Sequence, residues 1–105
     1  LAEKNWSEQW NESTVIKTIN SMKKMSVQTM NEIIARSFSR AAIKTTVLSA
    51  KYTGDVSLLE KGAIRVVFRA EIDSEGNKNN PAFKGTMNLT ISYNFDERRH
   101  SYQIN

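Results

Sequence analysis

The stretch Phe83-Lys84-Gly85-Thr86-Met87-Asn88-Leu89-Thr90-Ile91-Ser92-Tyr93-Asn94-Phe95 decides how this chain is read. Phe83, Gly85, Met87, Leu89, Ile91, Tyr93 and Phe95 take every second position, with Lys84, Thr86, Asn88, Thr90, Ser92 and Asn94 between them. Strand side chains point to opposite faces with a period of two, so the pattern predicts a strand with one dry and one wet face. At roughly 3.3 Å per residue it extends about 40 Å, about twice a typical strand. A twisted strand of that length has to curve around something, and the first half of the chain supplies the cover.

Upstream, Ala63–Asp73 reads as a partner strand, with Ile64, Val66, Phe68, Ala70 and Ile72 on one face. Ser74–Pro81, crowded with Gly, Asn and charge, is the intervening loop. Matching the two dry faces leaves two hairpin registers, with Lys84 opposite either Glu71 or Asp73. Gly85 is expected to bend or bulge the third strand. Ile43–Tyr52, rich in Thr and Val, reads as a first strand closed by a turn at Thr53-Gly54-Asp55. Glu97–His100 reads as a polar turn, and Ser101–Asn105 as the start of a fourth strand.

The N-terminal part has helical spacing. Asn11 or Ser13 is suited to cap a helix carrying Val15, Ile16, Ile19 and Met22 as one apolar stripe. Ser26 offers a second cap, followed by Val27, Met30, Ile33, Ile34, Phe38 and Ala41 at three- and four-residue intervals. Two helices meeting near Met25-Ser26 are the simplest expectation, one kinked helix the alternative. The four-residue spacing of Trp6 and Trp10 would place them on one face of a short leading helix. Met25, Met30 and Met87 read as adaptable core filler. The fold class is α+β, with N-terminal helices packed on a curved antiparallel sheet of about four strands, and residues 1–105 read as a single domain.

Composition narrows the chemistry. Hydrophobic residues make up 39% and charged residues 25%, the proportions of a globular domain. The net charge of +4 is scattered, with Lys23-Lys24 and Arg98-Arg99 the only adjacent basic pairs, so no polybasic run is present. With no cysteine, disulfides, thiol nucleophiles and Cys-ligated zinc fall away. His100 is the only histidine and sits in the expected turn, while Glu71, Asp73 and Glu75 cluster about a loop without metal-ligand spacing. Gly54, Gly62, Gly76 and Gly85 match no phosphate-cradling pattern.

The expected inward lining, Ile64, Val66, Phe68, Met87, Leu89, Ile91 and Tyr93 with the helical stripe, offers Tyr93 as its single proton donor. No acid–base pair is expected there, and no catalytic, cofactor or metal residue is assigned. Aromatics of the third strand share its dry face, which speaks against base stacking on nucleic acid. The wet face is polar yet nearly uncharged, which makes Thr90 and Asn94 candidate protein-interface residues, with plain solvent exposure the alternative. Trp6 and Trp10 are candidates because they precede the amphipathic pattern, with packing on the domain's own helices the alternative. Asn5-Trp6-Ser7, Asn11-Glu12-Ser13 and Asn88-Leu89-Thr90 are glycosylation-type triplets at near-chance frequency.

Ala63-Ile64-Arg65-Val66-Val67-Phe68-Arg69-Ala70, the polar loop, and Lys84 to Phe95 with its alternating aromatics together resemble a known family. It is the periplasmic domain of the inner-membrane assembly factor of bacterial type IV secretion systems, of the VirB and TraE kind, with a nuclear-transport-factor-2-like fold. The resemblance spans residues 12–105. Tyr102-Gln103-Ile104-Asn105 looks like the approach to that family's Asn-Pro-x-Gly turn, of which the chain carries the Asn. The resemblance implies a non-enzymatic scaffold on the periplasmic side of the inner membrane. It would be trimmed from a longer protein, anchored by an upstream helix, and would self-associate and contact other secretion components. It implies no cofactor, no small-molecule substrate and no nucleic acid. A small secreted or lipoprotein-type binding module of cystatin-like build is the alternative, and an isomerase or dehydratase of the cone-shaped fold a third.

Overall fold

The computed structural model describes residues 12–37, 44–59, 62–79 and 81–105. Its elements run α1 (Glu12–Lys23), α2 (Val27–Ser37), β1 (Thr45–Leu59), β2 (Ala63–Ser74), β3 (Phe83–Asn94) and β4 (Arg99–Ile104). The four strands form one antiparallel sheet in sequence order, a meander, and the class is α+β as expected.

Ser26 stops one helix and starts the next. Its Oγ accepts the backbone N–H of Thr29 at 3.1 Å, an N-cap that satisfies one orphan donor of α2. Lys24 and Met25 close α1 with i→i−3 backbone bonds to Ser21 and Met22, a tightened last turn. Val15 and Met22 of α1 and Met30, Ile33 and Ile34 of α2 are buried in one cluster with Val47, Ile64, Val66, Phe68, Ala70, Ile72, Leu89, Ile91 and Phe95. Met25 and Met87 pack against it, in keeping with their role as filler. Ile16 departs from the expected stripe and is 45% exposed. One helical face accommodates Val15, Ile19 and Met22, and position 16 lies a further 100° round the helix, off that face. Phe38, Ala41 and Ile43 lie outside the described residues.

β2 and β3 pair without irregularity from Ala63↔Asn94 to Ser74↔Phe83. Asp73 faces Lys84, which selects one of the two registers allowed by the sequence. Gly85 pairs with Ile72 in regular register and makes no bulge. Its missing side chain is instead filled by the Phe83 ring, since a Cβ there would meet Phe83 Cζ at 3.0 Å.

The irregularities lie in β1. Thr53-Gly54-Asp55 does not end this strand, which continues to Leu59; the pairing steps from Tyr52↔Phe68 to Asp55↔Val67 with Thr53 and Gly54 unpaired between them. Gly54 has φ +93°, a conformation that side chains resist, and Thr53 Oγ1 donates to the Val67 carbonyl at 2.9 Å in place of the displaced backbone. A turn-like tripeptide and a glycine bulge use the same residues, which is why the local sequence does not separate them. A second step, at Leu48, leaves that side chain exposed.

α2 touches both β1 and β4, the two edges of the sheet, while α1 meets β2. Both helices therefore cover the same face. Asn31 of α2 ties the arrangement to β1: its Oδ1 accepts the Val47 N–H at 2.8 Å and its Nδ2 donates to the Val47 carbonyl at 3.1 Å. No helix among the described residues is long and apolar enough to cross a membrane.

Candidate functional site

Two surfaces hold the polar side chains that sequence reasoning singled out. The first is the sheet face away from the helices. Alternation along β2 puts Arg65, Val67, Arg69, Glu71 and Asp73 there, and the register sets Ser92, Thr90, Asn88, Thr86 and Lys84 of β3 beside them. Ser57 and Lys51 of β1 and Ser101 and Gln103 of β4 extend the same rows. Arg69 Nη1 donates to Asn88 Oδ1 at 3.1 Å, and Arg65 Nη2 reaches Ser57 Oγ at 3.4 Å.

The four interface residues taken from the sequence fare differently. Thr90 and Asn94 both lie on this face. Thr90 is only 9% exposed, because its short side chain sits between the longer Val67 and Gln103 of the neighbouring strands. Asn94 is half-buried, and its Oδ1 accepts the Glu97 N–H at 2.8 Å, shaping the β3–β4 turn. Trp6 and Trp10 lie outside the described residues. The exposed groups of this face include the longer cations Arg65 and Arg69, which the alternation of β2 placed outward without marking them as a patch, and Lys51 beside Arg69 on β1. Asn88 of the third glycosylation-type triplet is held by Arg69 within a strand, and Leu89 beside it is core.

The second surface is a groove of about 780 Å³ between the α1–α2 junction and the β3–β4 turn. Its cations are Lys17 and Lys24 from the helical side and Arg98 from the turn, and its floor includes Met22, Met25, Tyr93 and Phe95. Hydroxyls of Thr14, Thr18, Ser21, Ser26 and Thr29 line the helical wall. No described aspartate or glutamate lines it. Thr18 Oγ1 is committed to the Thr14 carbonyl at 2.9 Å, and Ser26 Oγ lies 2.9 Å from Thr29 Oγ1. Arg98 takes φ 55°, the left-handed conformation that lets Phe95–Arg98 close tightly between β3 and β4.

His100 is the clearest correction to the sequence reading. It is not a turn residue: β4 starts at Arg99, and His100 pairs with Tyr93, half-buried at the groove wall. The two rings lie 4.8 Å apart between centroids, and Tyr93 in turn meets Phe95 edge-on at 5.1 Å. An ionisable side chain thus stands where a wholly apolar lining was expected, although the inner cluster itself carries no charged residue. Burial, and secondarily the Arg36 guanidinium of α2, hold its imidazole below the usual 6.5. Burial pushes the Tyr102 phenol, next inward-facing on β4, up to about 12. Among the described residues no three His, Cys, Asp or Glu side chains come together as a metal-binding group.

The His100 shift has a sign. An imidazole with a depressed folded value is bound by fewer protons in the native than in the unfolded chain just below pH 6.5, so stability falls as pH drops from 6.5 through the folded value. As the only histidine, His100 gives a single imidazole signal in an NMR titration. Its midpoint is expected below 6.5, and His100→Gln is expected to remove that share of the acid destabilisation. A midpoint at or above 6.5 contradicts the burial described here.

Comparison with protein-family models, curated proteins and solved structures gave no match to the chain.

Proposed function

We propose that this chain is a non-enzymatic assembly domain that works by self-association, of the type found on the periplasmic side of bacterial type IV secretion machinery, with a nuclear-transport-factor-2-like cone. The order of two helices followed by an antiparallel meander supports that reading, as does a helix that reaches both edges of its sheet. The carrying observation is the outer sheet face. Both described helices lie on the other side, so no described helix covers this face.

Its charge is graded. Along the outward positions of β2, Arg65 and Arg69 are followed by Glu71 and Asp73. A second copy related by a two-fold axis lays the basic end of one strand over the acidic end of the other, the self-complementarity that an isologous contact requires. The exposed Thr86, Asn88 and Ser101 of the neighbouring strands add uncharged hydrogen-bonding groups to the contact.

Sedimentation velocity over a concentration series tests the reading. A dimer is expected, weakened by Arg65→Glu and regained when Glu71→Arg is added. A chain that stays monomeric throughout, or a dimer indifferent to Arg65→Glu, removes this face as the contact.

A further inference from the structure

The groove between the α1–α2 junction and the β3–β4 turn has no part in the sheet-face contact. Its charge is one-sided: Lys17 and Lys24 line it from the helical side, and no described aspartate or glutamate is among its lining residues. Cations that surround a recess create a focused positive potential, stronger than the same charges spread on a convex surface. Lys17 and Lys24 are seven residues apart, about 10 Å along a helical rise, so the positive charge is distributed along the recess. A single small anion would meet one of these lysines at a time; an extended ligand with several negative groups meets both.

The floor adds a second requirement. Met22, Met25, Tyr93 and Phe95 are soft or aromatic groups able to adapt to an apolar side chain. The half-buried His100, paired across the strands with Tyr93 of that floor, also lines the groove. The first turn of α2 also faces this space, but Ser26 already caps it, so the helix end does not carry the argument.

We propose that this groove binds an acidic peptide segment of a partner protein, its carboxylates on Lys17 and Lys24 and an intervening apolar side chain on the methionine–aromatic floor. A lipid surface is the competing polyanion. It is planar, and a recess with its floor below the cations presents less contact to a plane than to a protruding chain.

The test uses a fluorescein-labelled peptide that alternates glutamate and leucine, read by fluorescence anisotropy against the whole chain. The Lys17→Glu/Lys24→Glu double variant should weaken binding about tenfold or more, since two opposed charge contacts become repulsive. Both lysines are exposed, so the fold survives, and circular dichroism verifies this. Lys51→Glu/Lys84→Glu, an equal charge change at exposed sites on the other sheet face, should leave affinity within about threefold. Met25→Asp should also weaken binding, whereas a glutamine–leucine peptide should not bind. Equal losses from the two lysine pairs would reduce the effect to net charge and overturn the proposal. Tighter binding to phosphatidylserine vesicles than to the peptide, lost with Lys17 and Lys24, would overturn it in favour of a membrane.

Discussion

Replacing Phe68 with alanine is expected to lower stability by about 3–5 kcal/mol, read as a fall in the midpoint of urea unfolding. Phe68 is 2% exposed and lies on β2, an inner strand, between Tyr52 of β1 and Leu89 of β3. Its ring meets Tyr52 edge-on at 6.1 Å, a geometry that adds to the simple burial of area. Alanine would leave a void that rigid strands on both sides cannot collapse into. Against the roughly 5–15 kcal/mol available to a small domain, that loss makes the folded state marginal. Lys51→Ala on the exposed face should change stability by about 0.5 kcal/mol or less. A Phe68 variant as stable as the Lys51 variant would mean that the helices do not close over the sheet.

The second large effect belongs to Asn31. Its carboxamide makes both a donor and an acceptor bond to the main chain of Val47, which lies on an edge strand with no described strand beyond it. Removing the amide by Asn31→Ala leaves a shielded N–H and C=O unpaired, at a cost of about 1–3 kcal/mol. Asn31→Asp keeps the acceptor for the Val47 N–H but sets a carboxylate oxygen against the Val47 carbonyl, so it should not rescue. Hydrogen exchange separates this from a general loss of stability. The Val47 amide should exchange faster in both variants, while amides of the β2–β3 ladder should change only in proportion to global stability. An unaltered Val47 amide would show that water or a neighbour replaces the clamp.

Alternation carried much of the fold in the sequence. The dry and wet faces of residues 83–95 and the run of Ala63–Asp73 put both central strands within a residue or two of where they lie, and facial matching alone left two registers, one of which is the observed Asp73–Lys84 opposition. Ser26 stated the helix junction through its capping chemistry. What the sequence hid was decided by long-range geometry. Thr53-Gly54-Asp55 is a turn by local rules, and only the pairing of Leu58 with Ile64 and Leu59 with Ala63 beyond it makes it a bulge. Ile16 had the hydrophobicity of a core residue but sits on the wrong arc of its helix.

The groove was the least legible part. Lys17, Lys24, Arg98 and His100 stand at opposite ends of the chain and share no spacing, so no local pattern marks them. They meet because the meander returns β4 to the helical side. His100 was misread because the turn ends two residues earlier than charge content suggested, with Arg98 taking a left-handed conformation that glycine or asparagine would fill more easily.

The long outer margin formed by β1 has a consequence for how this molecule behaves in a crowded solution. Fifteen residues of open backbone would ordinarily be an invitation for another chain to zip alongside and seed fibres. Here the margin is interrupted at Leu48, again at Thr53-Gly54, and its Val47 groups are already taken by Asn31. No uninterrupted template longer than a few residues is left along β1, which disfavours edge-to-edge pairing of another chain at this margin.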